Sequence, residues 1–106
     1  MKLWLDDVRP APEGYVWCNS VNEAKALIQY EEKQCHPKYA PCHKCYLIDI
    51  DHDAGDFACD GGDYIRLLDW LEETGRNYPI RIHSANPVGV QNMRQIIERN
   101  GWKEIK

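Results

Sequence analysis

The stretch YLIDIDHDAGD, residues 46 to 56, decides the fold class. Its first part, YLIDID, is a short β-prone run that is apolar enough to be buried on both faces, as strands of parallel sheets are. Four acids and a histidine then crowd into residues 49–56, where this strand ends. A buried strand that ends in charge predicts a parallel sheet with a polar site at its carboxyl edge.

Strands and helices alternate on both sides of this stretch. The predicted strands are KLWLDD (2–7), Tyr15–Cys18, YLIDID (46–51), PIRIHSAN (79–86) and WKEIK (102–106). The predicted helices cover about 21–33, the segment from Asp63 to Gly75, and the segment from Pro87 to Asn100. Because alternating strands and helices need crossover connections, we expect one domain over residues 1–106 with a mainly parallel sheet and helices on both faces.

Each predicted helix has a start signal in the sequence. Ser20 and Glu23 have the spacing of a capping box. Asp63 is the predicted N-cap of the second helix, and Asn86 followed by Pro87 is the predicted start of the third.

Composition excludes several classes of protein. The apolar share of 43% and four tryptophans describe a globular chain, and the formal charge of −4 offers no general attraction to extended nucleic acid. The N-terminus MKLWLDDVRP lacks the apolar core of a signal peptide, and no run is long enough to span a bilayer. We therefore expect a cytoplasmic protein that does not bind membranes; its oligomeric state is left open.

Three polar clusters follow three predicted strands, and the carboxyl ends of parallel strands share one edge of a sheet. Several carboxylates close together repel one another unless they hold protons or a hard cation. Carboxylate oxygens with spare water positions suit Mg²⁺ better than Zn²⁺. Asp6, Asp7 and Asp51 are therefore the predicted Mg²⁺ ligands. Taken singly, each acid could instead be a solvated loop residue or a helix cap.

Two histidines stand beside these acids at the ends of the third and fourth strands. His52 and His83 could flank one phosphorus atom, one taking a proton from water and the other giving one to the leaving oxygen. The predicted catalytic residues are His52, His83 and Asp51. Hydrogen bonds from Ser84 and Asn86, a bidentate contact from Arg9, and the helix N-terminus after Pro87 are the predicted phosphate contacts. This chemistry suits opening or hydrolysis of a cyclic phosphate ester.

These motifs resemble a known family. LWLDDVRPAP, DHDAG and HSANPVGVQNM resemble the cyclic-phosphate processing receiver domain, a divergent relative of the response-regulator receiver. The resemblance implies a flavodoxin-like or receiver-like three-layer α/β sandwich with a five-stranded sheet. It also places Asp6, Asp7 and Asp51 at the acidic positions of the receiver, with His52, His83 and Ser84 added around them.

The sequence departs from an ordinary receiver in three places. The segment between the first two strands is too short for the first receiver helix, and WKEIK is the last stretch of the sequence, so we expect the first and last receiver helices to be missing. Receivers carry a lysine at the end of the fifth strand, a place that Lys106 could take.

Three functions fit the site. The first is a metal-assisted phosphoesterase that processes cyclic phosphates on nucleotides or RNA ends. The second is a non-catalytic receiver-like module that binds a phosphate or nucleotide and regulates a partner. The third is a phosphatase with an aspartyl nucleophile, which the spacing of Asp49 and Asp51 allows.

A cysteine-rich loop precedes the third strand. Cys35, Cys42 and Cys45, with His36 or His43 as the fourth ligand, could complete a tetrahedral structural Zn²⁺ site. The alternative is a set of free thiols. Cys18 and Cys59 are expected near the acidic edge instead, and the four tryptophans are expected in packing roles.

Overall fold

The computed structural model describes residues 1–34 and 47–106. Within these two ranges, the strands are β1 (Lys2–Leu5), β2 (Val16–Cys18), β3 (Leu47–Ile50), β4 (Ile80–Ile82) and β5 (Glu104–Ile105). The α-helices of the same residues are α1 (Val21–Gln34), α2 (Ile65–Glu73) and α3 (Pro87–Asn100), and a short 3₁₀ helix covers Gly55–Cys59. No described helix is long and apolar enough to cross a membrane.

The strands form one sheet in the order β2-β1-β3-β4-β5, and every neighbouring pair is parallel. From β1 the chain therefore goes to the edge strand β2 on one side, and it then returns to the other side of β1 to form β3, β4 and β5 in turn. This topology confirms the predicted receiver-like α/β fold. The order of the strands reverses at β1, so the carboxyl ends of β1 and β3 flank the crevice where ligands of such sheets bind.

The two faces of the sheet differ in chemistry because side chains alternate along each strand. One face contributes fully buried Leu3, Leu5, Ile48, Ile50 and Ile80 to the core. The opposite face carries Trp4, Asp49 and Arg81, which are register neighbours across β1, β3 and β4.

All three described α-helices pack on the apolar face, since buried residues of each belong to the same core cluster. These residues are Val21, Ala24, Ile28, Leu67, Leu68, Leu71, Met93, Ile96 and Ile97. The expectation of helices on both faces therefore differs from the described part of the chain. The reason is the predicted loss of the first receiver helix: residues 6–15, all described, connect β1 to β2 without a helix.

Two of the three predicted helix starts are confirmed. Ser20 Oγ accepts a hydrogen bond from Glu23 N at 3.1 Å, while Glu23 Oε1 accepts one from Asn19 N at 3.1 Å. At α3, Asn86 Oδ1 accepts from Gly89 N at 3.0 Å, and Pro87 fills the first helical position. Both helices therefore begin where side-chain oxygens satisfy backbone N–H groups that have no partner inside the helix.

The prediction that Asp63 caps α2 is wrong. Tyr64 precedes the helix in a helical conformation, and no side chain caps it. Asp63 Oδ1 instead accepts a hydrogen bond from Ala54 N at 3.0 Å. The carboxylate thus holds the loop that follows β3, and a sequence pattern does not distinguish this long-range partner from a local one.

Candidate active site

Three carboxylates meet at the carboxyl ends of β1 and β3. Asp6 and Asp7 follow Leu5 directly, and Asp51 follows Ile50. One oxygen of each carboxylate lies within 4.8 Å of one oxygen of the others. The structure thus brings together the three acids predicted to bind Mg²⁺, as the parallel pairing of β1 with β3 requires.

Asp6 is almost fully buried, and both of its carboxylate oxygens have polar partners. Its Oδ1 accepts from Val8 N at 2.9 Å and from Arg9 N at 2.8 Å, and its Oδ2 faces His83 Nε2 at 3.0 Å and Arg9 Nε at 3.1 Å. Burial raises the pKa of this carboxyl, but the two backbone bonds, His83 and the charge of Arg9 together lower it below its usual value. Asp6 is therefore held ionised and in one orientation.

Asp7 and Asp51 keep more acceptor capacity. Asp51 Oδ1 accepts from His52 N at 2.7 Å, and its Oδ2 lies 3.4 Å from Arg9 Nη2. No described residue donates a hydrogen bond to Asp7, whose carboxylate packs so closely on Gly55 that a Cβ there would overlap it. These oxygens form a donor set that fits a small, hard divalent cation.

Arg9 bridges two of the carboxylates. Its guanidinium contacts Asp6 through Nε and Asp51 through Nη2, although its side chain is 55% exposed. The backbone of Arg9 is fixed by Asp6, whereas the guanidinium lies at the surface. Arg9 can therefore remain at the site while its charged end moves.

The negative charge of this cluster affects a tyrosine in the core beneath it. Tyr64 is fully buried, and its hydroxyl donates to Asn19 O at 2.7 Å. Burial raises the pKa of this phenol, and the charges of Asp7, Asp6, Asp51 and Asp63 raise it further. Tyr64 therefore acts as a neutral hydrogen-bond donor beneath the site.

His52 has one nitrogen held and the other available. Its Nδ1 lies 2.8 Å from Asp53 Oδ1, and no hydrogen-bond partner of Nε2 is found in residues 1–34 or 47–106. The ring lies against Gly89 in the first turn of α3, where a Cβ would come 2.5 Å from His52 Cγ. An imidazole oriented through Nδ1 with a free Nε2 is suited to proton transfer.

His83 has both nitrogens engaged. Nδ1 lies 2.6 Å from Asp49 Oδ1, Nε2 lies 3.0 Å from Asp6 Oδ2, and the ring stacks on Trp4 at 3.7 Å between centroids and 5° between planes. Its side chain is only 8% exposed. His52 and His83 do follow neighbouring strands, as predicted, but their surroundings suit them for different tasks.

Ser84 and Asn86 belong to the turn that begins α3. Ser84 Oγ accepts a hydrogen bond from Asn86 N at 3.1 Å. Asn86 Nδ2 lies 3.5 Å from Asp53 Oδ2, the same carboxylate that orients His52. The turn is thereby connected to the loop after β3, and its predicted contacts with phosphate stay predictions.

The family assignment agrees with this geometry. The sequence model of the cyclic-phosphate processing receiver domain matches residues 1–99. The protein belongs to this receiver family. Comparison with curated proteins and with solved structures found no match.

Lys106, the predicted equivalent of the receiver lysine at the end of the fifth strand, does not contact the acidic cluster in this protein. Lys106 is exposed, and its Nζ lies 3.5 Å from Glu104 Oε2 on β5. In the described chain, Arg9 is the basic side chain whose ion pairs reach Asp6 and Asp51. The receiver site is thus built with its positive charge on the β1 side.

The structure also excludes Asp49 as the nucleophile of an aspartyl phosphatase. Asp49 is fully buried, with Oδ2 3.0 Å from Arg81 Nη1 and Oδ1 against His83. A carboxylate occupied by two partners and shielded from solvent cannot attack a bound phosphate.

Sequence reasoning missed the partners of both histidines. Asp53 and Asp63 lie around His52, with ligand atoms of the three residues within 4.8 Å of one another, and Asp49 and Trp4 enclose His83. The available signal was Asp49 itself, since an acid inside a buried strand needs a partner.

The two cysteines that the structure describes differ in exposure. Cys18 is buried at the carboxyl end of β2, and Cys59 is exposed at the end of the 3₁₀ helix. The predicted zinc ligands Cys35, Cys42, Cys45 and His36, with the alternative His43, lie outside the described residues.

Proposed function

We propose that this protein is a phosphoesterase that opens a cyclic phosphate on a nucleotide or an RNA end, with Mg²⁺ held by Asp6, Asp7 and Asp51. The observation that carries the proposal is the convergence of the three carboxylates, one of which, Asp51, is followed directly in the chain by His52. Asp53 contacts His52 Nδ1 at 2.8 Å and leaves Nε2 without a hydrogen-bond partner among the described residues. When bound, Mg²⁺ supplies positive charge that offsets the charge of the phosphate oxygens.

In the proposed reaction, water adds to phosphorus and one ester P–O bond breaks. His52 Nε2 takes a proton from the attacking water, and the leaving oxygen gains a proton from solvent at this open edge of the sheet. Arg9 turns its exposed guanidinium from the carboxylates to the phosphate, and Ser84 and Asn86 donate hydrogen bonds to it. The two-histidine scheme stays a prediction; the geometry favours His52 for proton transfer because both His83 nitrogens are held.

The test is ³¹P NMR of the protein with 2′,3′-cyclic AMP and MgCl₂. We expect conversion to a monophosphate that EDTA and His52→Gln abolish. The matched control is Asp69→Asn, which removes an acid of α2 that pairs with Arg66 outside the site. Full turnover by His52→Gln would contradict the role of His52. An unchanged cyclic signal, repeated with an RNA that ends in a 2′,3′-cyclic phosphate, would contradict the phosphoesterase itself.

A second candidate is a receiver module that takes a phosphoryl group on Asp51 and regulates a partner. Membership of the receiver family favours it. The position of Lys106 on Glu104 argues against a stabilised phosphoaspartate. Incubation with acetyl phosphate distinguishes the two candidates: the module predicts a phosphoryl mass increase that Asp51→Asn abolishes, and the esterase predicts none.

The substrate is proposed to be compact. A formal charge of −4 gives the chain no general attraction to a polyphosphate backbone, whereas a bound divalent cation and Arg9 together offset the charge of the three carboxylates locally. A mononucleotide or the terminal residue of an RNA satisfies this condition.

A further inference from the structure

A line of polar side chains in mutual contact runs from one face of the sheet to the acidic edge. Its members are Arg81, Asp49, His83 and Asp6, joined by contacts of 3.0, 2.6 and 3.0 Å. The outermost member, Arg81, is 43% exposed, whereas Asp49 and Asp6 are 0% and 1% exposed. The line therefore begins at the surface and becomes fully buried before it reaches the candidate site.

Two contacts to one imidazole hold the middle of this line. Asp49 Oδ1 lies 2.6 Å from His83 Nδ1, and Asp6 Oδ2 lies 3.0 Å from His83 Nε2. The ring therefore connects the two buried carboxylates directly. Neither carboxylate can rotate without losing its bond to His83.

The His83 ring is also fixed against rotation. Trp4 stacks on one side at a centroid distance of 3.7 Å, and its own indole Nε1 donates to Arg9 O at 2.9 Å. Trp4 and Asp49 are register partners, so strand pairing sets the stacking partner and the acceptor of His83 at once. A ring that contacts a carboxylate at each nitrogen and is stacked on an indole has one orientation.

We propose that Asp49 and His83 are a positioning pair that sets the orientation of the Asp6 carboxylate. In this role they need touch neither metal nor substrate, since Asp49 is fully buried and His83 is covered by Asp6 and Trp4. They act through Asp6, whose other oxygen fixes the backbone N–H groups of Val8 and Arg9. The role in metal binding rests on the proposed function; the orientation of Asp6 does not.

The variant that tests the pair is Asp49→Asn. It preserves the shape of the side chain but replaces one acceptor oxygen with an amide group, so the variant side chain cannot accept from both His83 and Arg81. The control is Arg81→Gln, which perturbs the same buried carboxylate from its other side and leaves the His83 contact in place. If Asp49 only stabilised the fold, both variants should show the same effects.

Two readouts are measured on each folded variant. The first is the affinity for Mg²⁺ alone by calorimetry, for which we expect a loss of roughly ten-fold in Asp49→Asn, as for other residues that orient metal ligands. The second, in EDTA, is the set of backbone amide resonances of Val8 and Arg9. These should shift in Asp49→Asn and stay at the wild-type positions in Arg81→Gln.

Unchanged amide resonances in Asp49→Asn would overturn the positioning role, as would an equal effect of Arg81→Gln. Failure of the wild-type protein to bind Mg²⁺ would contradict the proposed metal site, while the metal-free resonances would still decide the positioning role. Where Asp49→Asn does not fold, His83→Gln replaces it, because a glutamine cannot reach both carboxylates. The amide resonances of Val8 and Arg9 are then expected to shift in His83→Gln, and unchanged resonances would refute the positioning role.

Discussion

Arg9 places its charge between two carboxylates of the proposed cation site. Its guanidinium contacts Asp6 and Asp51 and offsets the repulsion of two acids that are otherwise close together. A divalent cation and the Arg9 guanidinium repel each other and share these acceptors. Binding of the cation therefore requires the exposed end of Arg9 to turn away.

Replacement of Arg9 by glutamine should strengthen Mg²⁺ binding and weaken phosphate binding. The expected change for Mg²⁺ is about 0.5 kcal/mol, roughly two-fold, because the guanidinium is largely exposed and screened by solvent. Calorimetry with MgCl₂ and then with inorganic phosphate measures both. A weaker affinity for Mg²⁺ in Arg9→Gln, with Lys33→Gln as the surface-charge control, would contradict competition between the two cations.

At the scale of elements, the first turn of α3 is part of the wall around His52. Asn86 caps the helix and contacts Asp53, while Gly89 leaves the space that the His52 ring fills. The helix and the loop after β3 thus hold one imidazole between them. The helix would tolerate a larger residue at position 89 by its own propensity, so the glycine there serves the neighbouring loop.

We expect Gly89→Ala to abolish turnover without increasing stability. Alanine favours a helix over glycine by about 1 kcal/mol, but the added Cβ would overlap the His52 ring and push it from its position. Thermal unfolding and the ³¹P assay are measured together. The control is Gln91→Ala in the same helix at an exposed position. A stabilised and fully active Gly89→Ala variant would show that the His52 ring is free to move.

For the molecule as a whole, ionised acids hold together segments that are distant in the chain. The pKa of Glu72 on α2 is lowered to about 2 by Arg99 and Asn100 of α3, and that of Glu104 is lowered by Arg94. Asp6 joins the loop after β1 to His83 and also has a lowered pKa. Protonation of these groups weakens the contacts of α3 and of the acidic edge together.

Stability should therefore fall in acid. A carboxyl whose pKa is lowered by folding contributes stability above its unfolded value, here 3.8 for Asp6 and 4.5 for Glu72 and Glu104, and loses it as the pH falls through the folded value. Urea unfolding in EDTA should give a nearly constant free energy from pH 7 to about pH 5 and a steep decline from about pH 4.5 to pH 2. Glu72→Gln should have a shallower decline, and equal slopes would contradict the assignment.

Local sequence patterns determined the strands and helices and the polar residues at the carboxyl edge of the sheet. The polar residues that end β1, β3 and β4 predicted that Asp6, Asp51 and His83 would converge, because parallel strands align their carboxyl ends. The capping residues before α1 and α3 gave the starts of those helices, since their partners lie within four residues in the chain. The predicted cap of α2 failed because the partner of Asp63 is Ala54, across a loop.

The sequence by itself therefore determined the order of strands and helices, the receiver family and the acids at the sheet edge. Only the tertiary structure decided that His52 keeps a nitrogen available while His83 is enclosed by Asp49, Asp6 and Trp4. The physical reason is the distance along the chain between the residues that interact. Elements follow from contacts between near neighbours in the chain, whereas the role of a histidine depends on which groups the register of distant strands brings to its two nitrogens.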